Sequence, residues 1–188
     1  MRKLVEITFM SLDGVIDAPD LVQKAQQYFS NEEHNAYQKR RLFGADALLL
    51  GRKTYEALSK AYIAMARDAK GVPLDFVERM NSIPKYVASK TLKELSWNAT
   101  VLQGDAAEEV SKIKSQPGKD IVKYGTGPFD HALFSRQLVD MLCVLVYPFV
   151  LGHGTRLFEG FDASMHLTLS TVQRFENGTL VAEYTPKS

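Results

Sequence analysis

The sequence predicts an α/β fold in three layers: one mixed, mainly parallel sheet of about eight strands with helices on both faces. Three observations carry this. Short apolar runs alternate with helical patterns, the signature of parallel strands joined by right-handed crossovers. Near the C-terminus the alternation gives way to two apolar segments flanking Asn177-Gly178, a strong hairpin signal that adds antiparallel strands. No repeat, low-complexity stretch or linker divides the 188 residues, and 45% hydrophobic with 24% charged content is that of an ordinary globular chain. One domain over residues 1–188 is expected.

Leu4 to Met10 reads as the first strand, apolar at Val5, Ile7 and Phe9. Ser11-Leu12-Asp13-Gly14 turns the chain. Residues 19–43 are helix-rich. The clearest helix has Asn31 as its N-cap, Glu32 and Glu33 in its first turn, and Lys39, Arg40 and Arg41 in its last, before Gly44. Ala45 to Leu50 is a continuous apolar run, as in a buried strand. Gly51 separates it from a helix over Arg52 to Met65. Gly71 and Pro73 mark a loop before a short helix at Asp75–Met80. Strands follow at Pro84 to Ser89 and Ala99 to Gln103. Asp105 then opens a helix carrying Val110 and Ile113, which Pro117-Gly118 ends. Asp120 to Tyr124 is a strand, and Pro128 suits the first position of the next helix. Val139 to Val150 reads as a long buried strand in which Pro148 marks a bulge or edge. The hairpin strands run from Leu167 to Phe175 and from Thr179 to Tyr184.

A formal net charge of +1 excludes a broad basic surface for nucleic acid or anionic membrane, so any anion must be held by local charge. The single cysteine, Cys143, lies in an apolar run and reads as a buried thiol, which excludes a disulfide framework or a Cys-rich zinc site. The four histidines, at 34, 131, 153 and 166, show no metal-binding spacing, so no metal is expected. Only His153 sits in a glycine-flanked loop. The longest apolar run, 141–151, is too short to span a bilayer. Glu6 and Thr8 interrupt what would be a signal segment. A cytoplasmic, membrane-free setting is expected.

In open α/β sheets ligands bind beyond the carboxyl ends of the strands, and four strand-end loops stand out. Gly51-Arg52-Lys53-Thr54 combines close backbone approach, two cations, a hydroxyl and a helix N-terminus, which is what a phosphate site needs. Ser89-Lys90-Thr91 sets two hydroxyls around a cation, a pattern that alone is also that of a surface turn and that paired with Arg52 could enclose a second phosphate. Gly125-Thr126-Gly127-Pro128 lets backbone approach a pyrophosphate or ring. Asp130 stands where a third glycine of a dinucleotide fingerprint would fall. Asp13, in the loop after the first strand, is the candidate proton donor or substrate anchor. No phosphate-binding Gly-Lys-Ser/Thr run and no Gly-x-Ser-x-Gly elbow occurs.

Leu49-Leu50-Gly51-Arg52-Lys53-Thr54-Tyr55-Glu56 resembles the cofactor-phosphate segment of dihydrofolate reductase. With Ser11-Leu12-Asp13-Gly14, Met80 through Val87, Leu138-Val139-Asp140 through Pro148, Leu151-Gly152-His153-Gly154 and Leu157-Phe158 it resembles the bacterial deaminase-reductase C-terminal domain family. That family includes the reductase half of bifunctional riboflavin-biosynthesis enzymes and stand-alone dihydrofolate-reductase-like proteins. The resemblance implies a dihydrofolate-reductase-like fold and an NADPH-dependent reductase of a small heterocyclic or carbonyl substrate, similar to 5-amino-6-(5-phosphoribosylamino)uracil reductase. It implies a homodimer. By position, Arg52, Lys53 and Thr54 meet the cofactor phosphates; Ser89, Lys90 and Thr91 surround the adenosine ribose and its 2′-phosphate. Gly125, Thr126, Gly127 and Phe129 flank the pyrophosphate and nicotinamide end, and Val15, Ile16 and Asp17 form a mobile loop closing over the ring. Tyr124 stands where riboflavin-pathway reductases carry a glutamate. A non-catalytic nucleotide-binding protein on the same scaffold is the alternative.

Overall fold

The computed structural model describes residues 1–29, 31–68 and 72–187; Gly71, expected in a loop, lies outside them. In chain order the elements are β1 (Leu4–Ser11), β2 (Val15–Asp17), α1 (Leu21–Phe29), α2 (Glu32–Gly44), β3 (Ala45–Gly51), α3 (Arg52–Met65), α4 (Leu74–Ser82), β4 (Lys85–Ala88), β5 (Ala99–Val101), α5 (Ala106–Ser115), β6 (Asp120–Tyr124), α6 (Pro128–Ser135), β7 (Met141–Tyr147), β8 (Thr155–Arg156), β9 (Leu167–Arg174) and β10 (Leu180–Pro186). The main sheet has eight strands in the order β5-β4-β3-β6-β1-β7-β10-β9, and β2 pairs with β8 in a separate two-stranded sheet. Pairing is parallel from β5 through β7; β10 runs antiparallel to both β7 and β9. The mixed, mainly parallel sheet with a terminal hairpin is the expected fold.

Local chemistry explains the element ends. Asn31 accepts a hydrogen bond from the His34 amide at 3.0 Å, and Asp105 accepts from Ala107 and Glu108 at 2.9 and 3.1 Å. Each satisfies amides that the first helical turn leaves without partners. Burial divides the molecule by sheet face. Val5 and Ile7 point into one core with Tyr37, Leu42, Tyr55 and Met80 of α2, α3 and α4. Leu4 points into the other with Val110, Ile113, Leu133 and Phe134 of α5 and α6.

The structure differs from expectation in four places. The short β2 and β8 were not expected as strands. Both α1 and α4 are complete nine-residue helices. β7 spans Met141–Tyr147 rather than 139–150, because Pro148, with no N–H to give the ladder, ends it. β4 and β5 are likewise shorter than expected.

Candidate functional site

Strand register brings the four loops to one edge of the sheet. Ile7 of β1 lies beside Tyr124 of β6, Tyr124 beside Leu50 of β3, and Gly51 beside Ala88 of β4. At about 4.8 Å per strand, the loops after β4, β3, β6 and β1 follow one another over roughly 15 Å. Beyond Ile7 and Tyr124, β1 continues beside β7 as far as Ser11 but no longer pairs with β6. A cavity of about 160 Å³ opens there, lined by Thr8 and Phe9 of β1, Tyr147 of β7, Ile16 of β2, Leu21, Val22, Ala25 and Phe29 of α1, and Gly125-Thr126. Every lining residue is uncharged. Phe9 stacks on Tyr147 with ring planes 4° apart, and Phe29 stands edge-on to both. His34 backs this wall, 3.4 Å from the Tyr147 hydroxyl; burial lowers its pKa to about 4, so it is neutral.

The phosphate-type loops keep open binding groups. Gly51 caps α3 without a side-chain hydrogen bond, so the first amides of that helix stay free and carry its positive dipole end. Arg52 and Lys53 are exposed; Arg52 lies 3.6 Å from Glu56 and Lys53 lies 3.4 Å from Asp17. Thr54 packs against the Gly125 loop so closely that a Cβ on Gly125, whose φ is +76°, would overlap Thr54 Oγ1. Lys90 and Thr91 are exposed beside them. The Ser89 oxygen is occupied in holding its own turn, accepting from the Thr91 and Leu92 amides at 3.2 and 3.1 Å.

Beneath the Gly125 loop lies a buried polar network that the sequence reading missed. Glu6 sits beside Lys123 in the β1–β6 register. Lys123 Nζ pairs with Asp130 and donates to the Gly125 carbonyl. The Gly127 amide donates to Asp130 Oδ2 at 2.6 Å. Thr126 Oγ1 donates to Glu6 Oε1 at 3.2 Å and lies 2.6 Å from Thr8 Oγ1. Burial, opposed by Lys123 and reinforced by Asp130, pushes the Glu6 pKa up to about 8. A signal was present: Glu6 and Lys123 each interrupt an otherwise apolar run in a central strand.

Other expected residues take different places. Asp13 accepts from Ser11 Oγ at 2.6 Å and from the Leu151 and Gly152 amides at 3.1 and 2.9 Å. These bonds hold its carboxyl well below the usual carboxylate range. It braces the loop after β7, and a group ionised at all ordinary pH values is a poor proton donor. Phe129 packs against the α5–α6 core. Val15 is buried, Ile16 lines the cavity and exposed Asp17 faces Lys53; together they form β2, paired with β8, rather than an open loop. Tyr124 is buried in the core with its hydroxyl 3.3 Å from Gln38 Oε1, and burial raises its pKa. Glu33, in the first turn of α2, accepts from the Glu176 amide at 2.6 Å. His153 is exposed and lies 3.1 Å from Asp20. Among the described residues no group of three or more His, Cys, Asp or Glu is placed to hold a metal ion. No described helix is long and apolar enough to cross a membrane.

Residues 2–181 match the model of the RibD C-terminal domain. The chain is 30% identical over 139 residues to protein YyaP of Bacillus subtilis (strain 168), a match that covers 74% of this chain and 73% of that one. A pyrimidine reductase-like protein from Corynebacterium diphtheriae superposes with a TM-score of 0.65 at 14% identity, over 100% of this chain and 92% of the other. A diaminohydroxyphosphoribosylaminopyrimidine deaminase/5-amino-6-(5-phosphoribosylamino)uracil reductase from Thermotoga maritima superposes with a TM-score of 0.59 at 14% identity, over 99% and 57% of the two chains.

Proposed function

We propose, from the premise that the chain belongs to the RibD C-terminal domain family, that it is a single-domain NADPH-dependent reductase of a small, uncharged heterocyclic or carbonyl compound. The observation that carries this reading is the alignment of the β4, β3, β6 and β1 loops along one sheet edge, ending at the uncharged cavity. Lys90 and Thr91 suit the adenosine end. Arg52, Lys53, Thr54 and the free amides after Gly51 suit the phosphates. The Gly125–Gly127 backbone and the space between β1 and β6 suit a nicotinamide ring. NADPH would supply the hydride; the protein supplies position and a desolvated site. The aromatic wall of Phe9, Phe29 and Tyr147 favours a flat substrate, and the lack of lining charge disfavours one bearing a phosphate.

Arg52, Lys53 and Lys90 are all exposed, Arg52 and Lys53 in open pairs with Glu56 and Asp17, and are the cations that can read a 2′-phosphate. Titration with NADPH and NADH, followed by intrinsic fluorescence, tests the reading. NADPH should bind in the micromolar range. Arg52→Ala should weaken NADPH about tenfold and NADH far less; the loss of a charge-assisted hydrogen bond is about 1.5 kcal/mol. Equal losses would reject Arg52 as the discriminating residue. The buried Tyr124, standing in the family's glutamate position, favours a second reading as a non-catalytic NADPH-binding protein. NADPH binding with no turnover over a panel of small carbonyl and heterocyclic compounds would select it. The proposal includes a homodimer, supported by exposed Leu169, Val172 and Leu180 on the β9–β10 end of the sheet.

A further inference from the structure

A reduction by hydride needs a proton as well, and the cavity wall holds no acid. Asp13 is unsuited, because its carboxylate is held ionised by two backbone amides and a hydroxyl. Behind the wall, however, lies a carboxyl group that no role so far uses. Glu6 is fully buried on β1 and its Oε2 has no hydrogen-bond partner. The ionisable groups facing it are Lys123 from β6 and Asp130 from α6; β7 and α6 otherwise present Leu142, Val144 and Leu133 to that side of the sheet. Two carboxylates against one ammonium would leave a net negative charge in a dry core, which is costly. One proton on the carboxyl pair makes the trio neutral. Two hydroxyls then lead outward: Thr126 at 3.2 Å from Glu6, and Thr8 at 2.6 Å from Thr126, both lining the cavity.

We propose that Glu6 is the proton store of the site, emptied into the cavity through the hydroxyls of Thr126 and Thr8. The inference rests on the reductase reading for its use, though not for its existence. When a C=O or C=N bond in the cavity accepts hydride from the reduced nicotinamide, its π electron pair moves onto the oxygen or nitrogen. That atom takes the proton of Thr8 Oγ1. Thr126, whose hydroxyl donates to Glu6 Oε1 at rest, turns to give its proton to Thr8 and takes one from the Glu6 carboxyl in exchange. Glu6 is left as a carboxylate facing Lys123 and is reprotonated from solvent. The sum is one hydride from the dinucleotide and one proton from water added across one double bond. Each hydroxyl accepts on one side as it donates on the other, so neither Thr8 nor Thr126 changes its own charge. Glu6 acts only through them and touches no substrate.

The store can be tested on the full chain without any substrate. Carbon NMR of isotope-labelled glutamate, with Glu6→Gln to assign the signal, should find a carboxyl that is protonated at neutral pH and titrates near 8. A Glu6 that is already ionised at neutral pH would overturn the proposal. The Thr126 hydroxyl holds the Glu6 pKa down by its hydrogen bond, so Thr126→Val should move that titration further up; an unmoved titration would overturn the coupling. Should Glu6→Gln fail to fold, the valine variant and selective labelling still locate the signal. In turnover, Thr8→Val should lower kcat about 100-fold, as expected for loss of a positioned proton donor, with a far smaller change in NADPH affinity. The fall in kcat on the alkaline side should disappear with it. An unaltered kcat and pH profile in Thr8→Val would overturn the wire. If the wild type binds no NADPH and reduces no member of the panel, the reductase reading fails, and the carboxyl titration still decides the store.

Discussion

At the scale of single residues, Glu6 and His34 are both kept neutral by burial, and they pull stability in opposite directions as pH changes. Glu6 holds its proton to about 8 when folded against an ordinary value of 4.5, so raising the pH between these values favours the unfolded chain, which has already released its proton. His34 gives up its proton at about 4 when folded against 6.5 when unfolded, so raising the pH over that range favours the folded chain. Between 4.5 and 6.5 the two oppose one another; from 6.5 to 8 the Glu6 contribution is left without this counterweight. Urea midpoints of the wild type should therefore fall across that upper window, and those of Glu6→Gln should stay level. Parallel slopes would mean that Glu6 is not the cause. Glu6 and Lys123 were visible in the sequence as charges inside apolar runs. Their meeting was not, because it depends on β1 and β6 being neighbours across more than a hundred residues.

At the scale of elements, the sequence was most legible where turn chemistry punctuates it. Asn31, Asp105 and Pro128 mark helix starts, and Asn177-Gly178 turns the last hairpin, because each residue type satisfies a specific local geometry. The turns after β3, β4 and β6 were legible for the same reason. The three- and two-residue strands β2 and β8 were not, since so short a strand has no periodicity to read. Nor did the sequence reveal that Asp13 would be taken by amides from a loop nearly 140 residues away. The contact between α3 and the β6 loop allows a sharp prediction. Gly125→Ala forces a left-handed conformation on an L-residue, about 1–2 kcal/mol, and drives its methyl into Thr54. It should lower the unfolding midpoint and weaken NADPH. Adding Thr54→Ala should recover part of the stability. Wild-type stability and affinity in the single variant would show that the close approach is dispensable.

At the scale of the whole molecule, the sheet is covered unevenly. β7 lies inside the sheet between β1 and β10 and offers no free edge to a second chain. The open surface is further out, where Leu169, Val172 and Leu180 are exposed on β9 and β10. An uncovered apolar face next to an edge strand invites a second chain. Sedimentation equilibrium should give twice the chain mass, and Val172→Lys should reduce it to one; a wild type of single-chain mass would reject the proposed homodimer.

The strand order also bears on how such a chain is made. β1 is the first strand in sequence but sits in the middle of the sheet, and both its partners, β6 and β7, begin only at Asp120 and Met141. A ribosome extends a chain at about 5–20 residues per second, so β1 spends several seconds with both edges unpaired while β3 and β4 can already meet. The most apolar part of the N-terminal region must stay unassociated through that interval. The rate of productive folding is thus tied to the arrival of the chain's last third, and slowing translation past β5 should expose nascent chains to aggregation rather than help them fold.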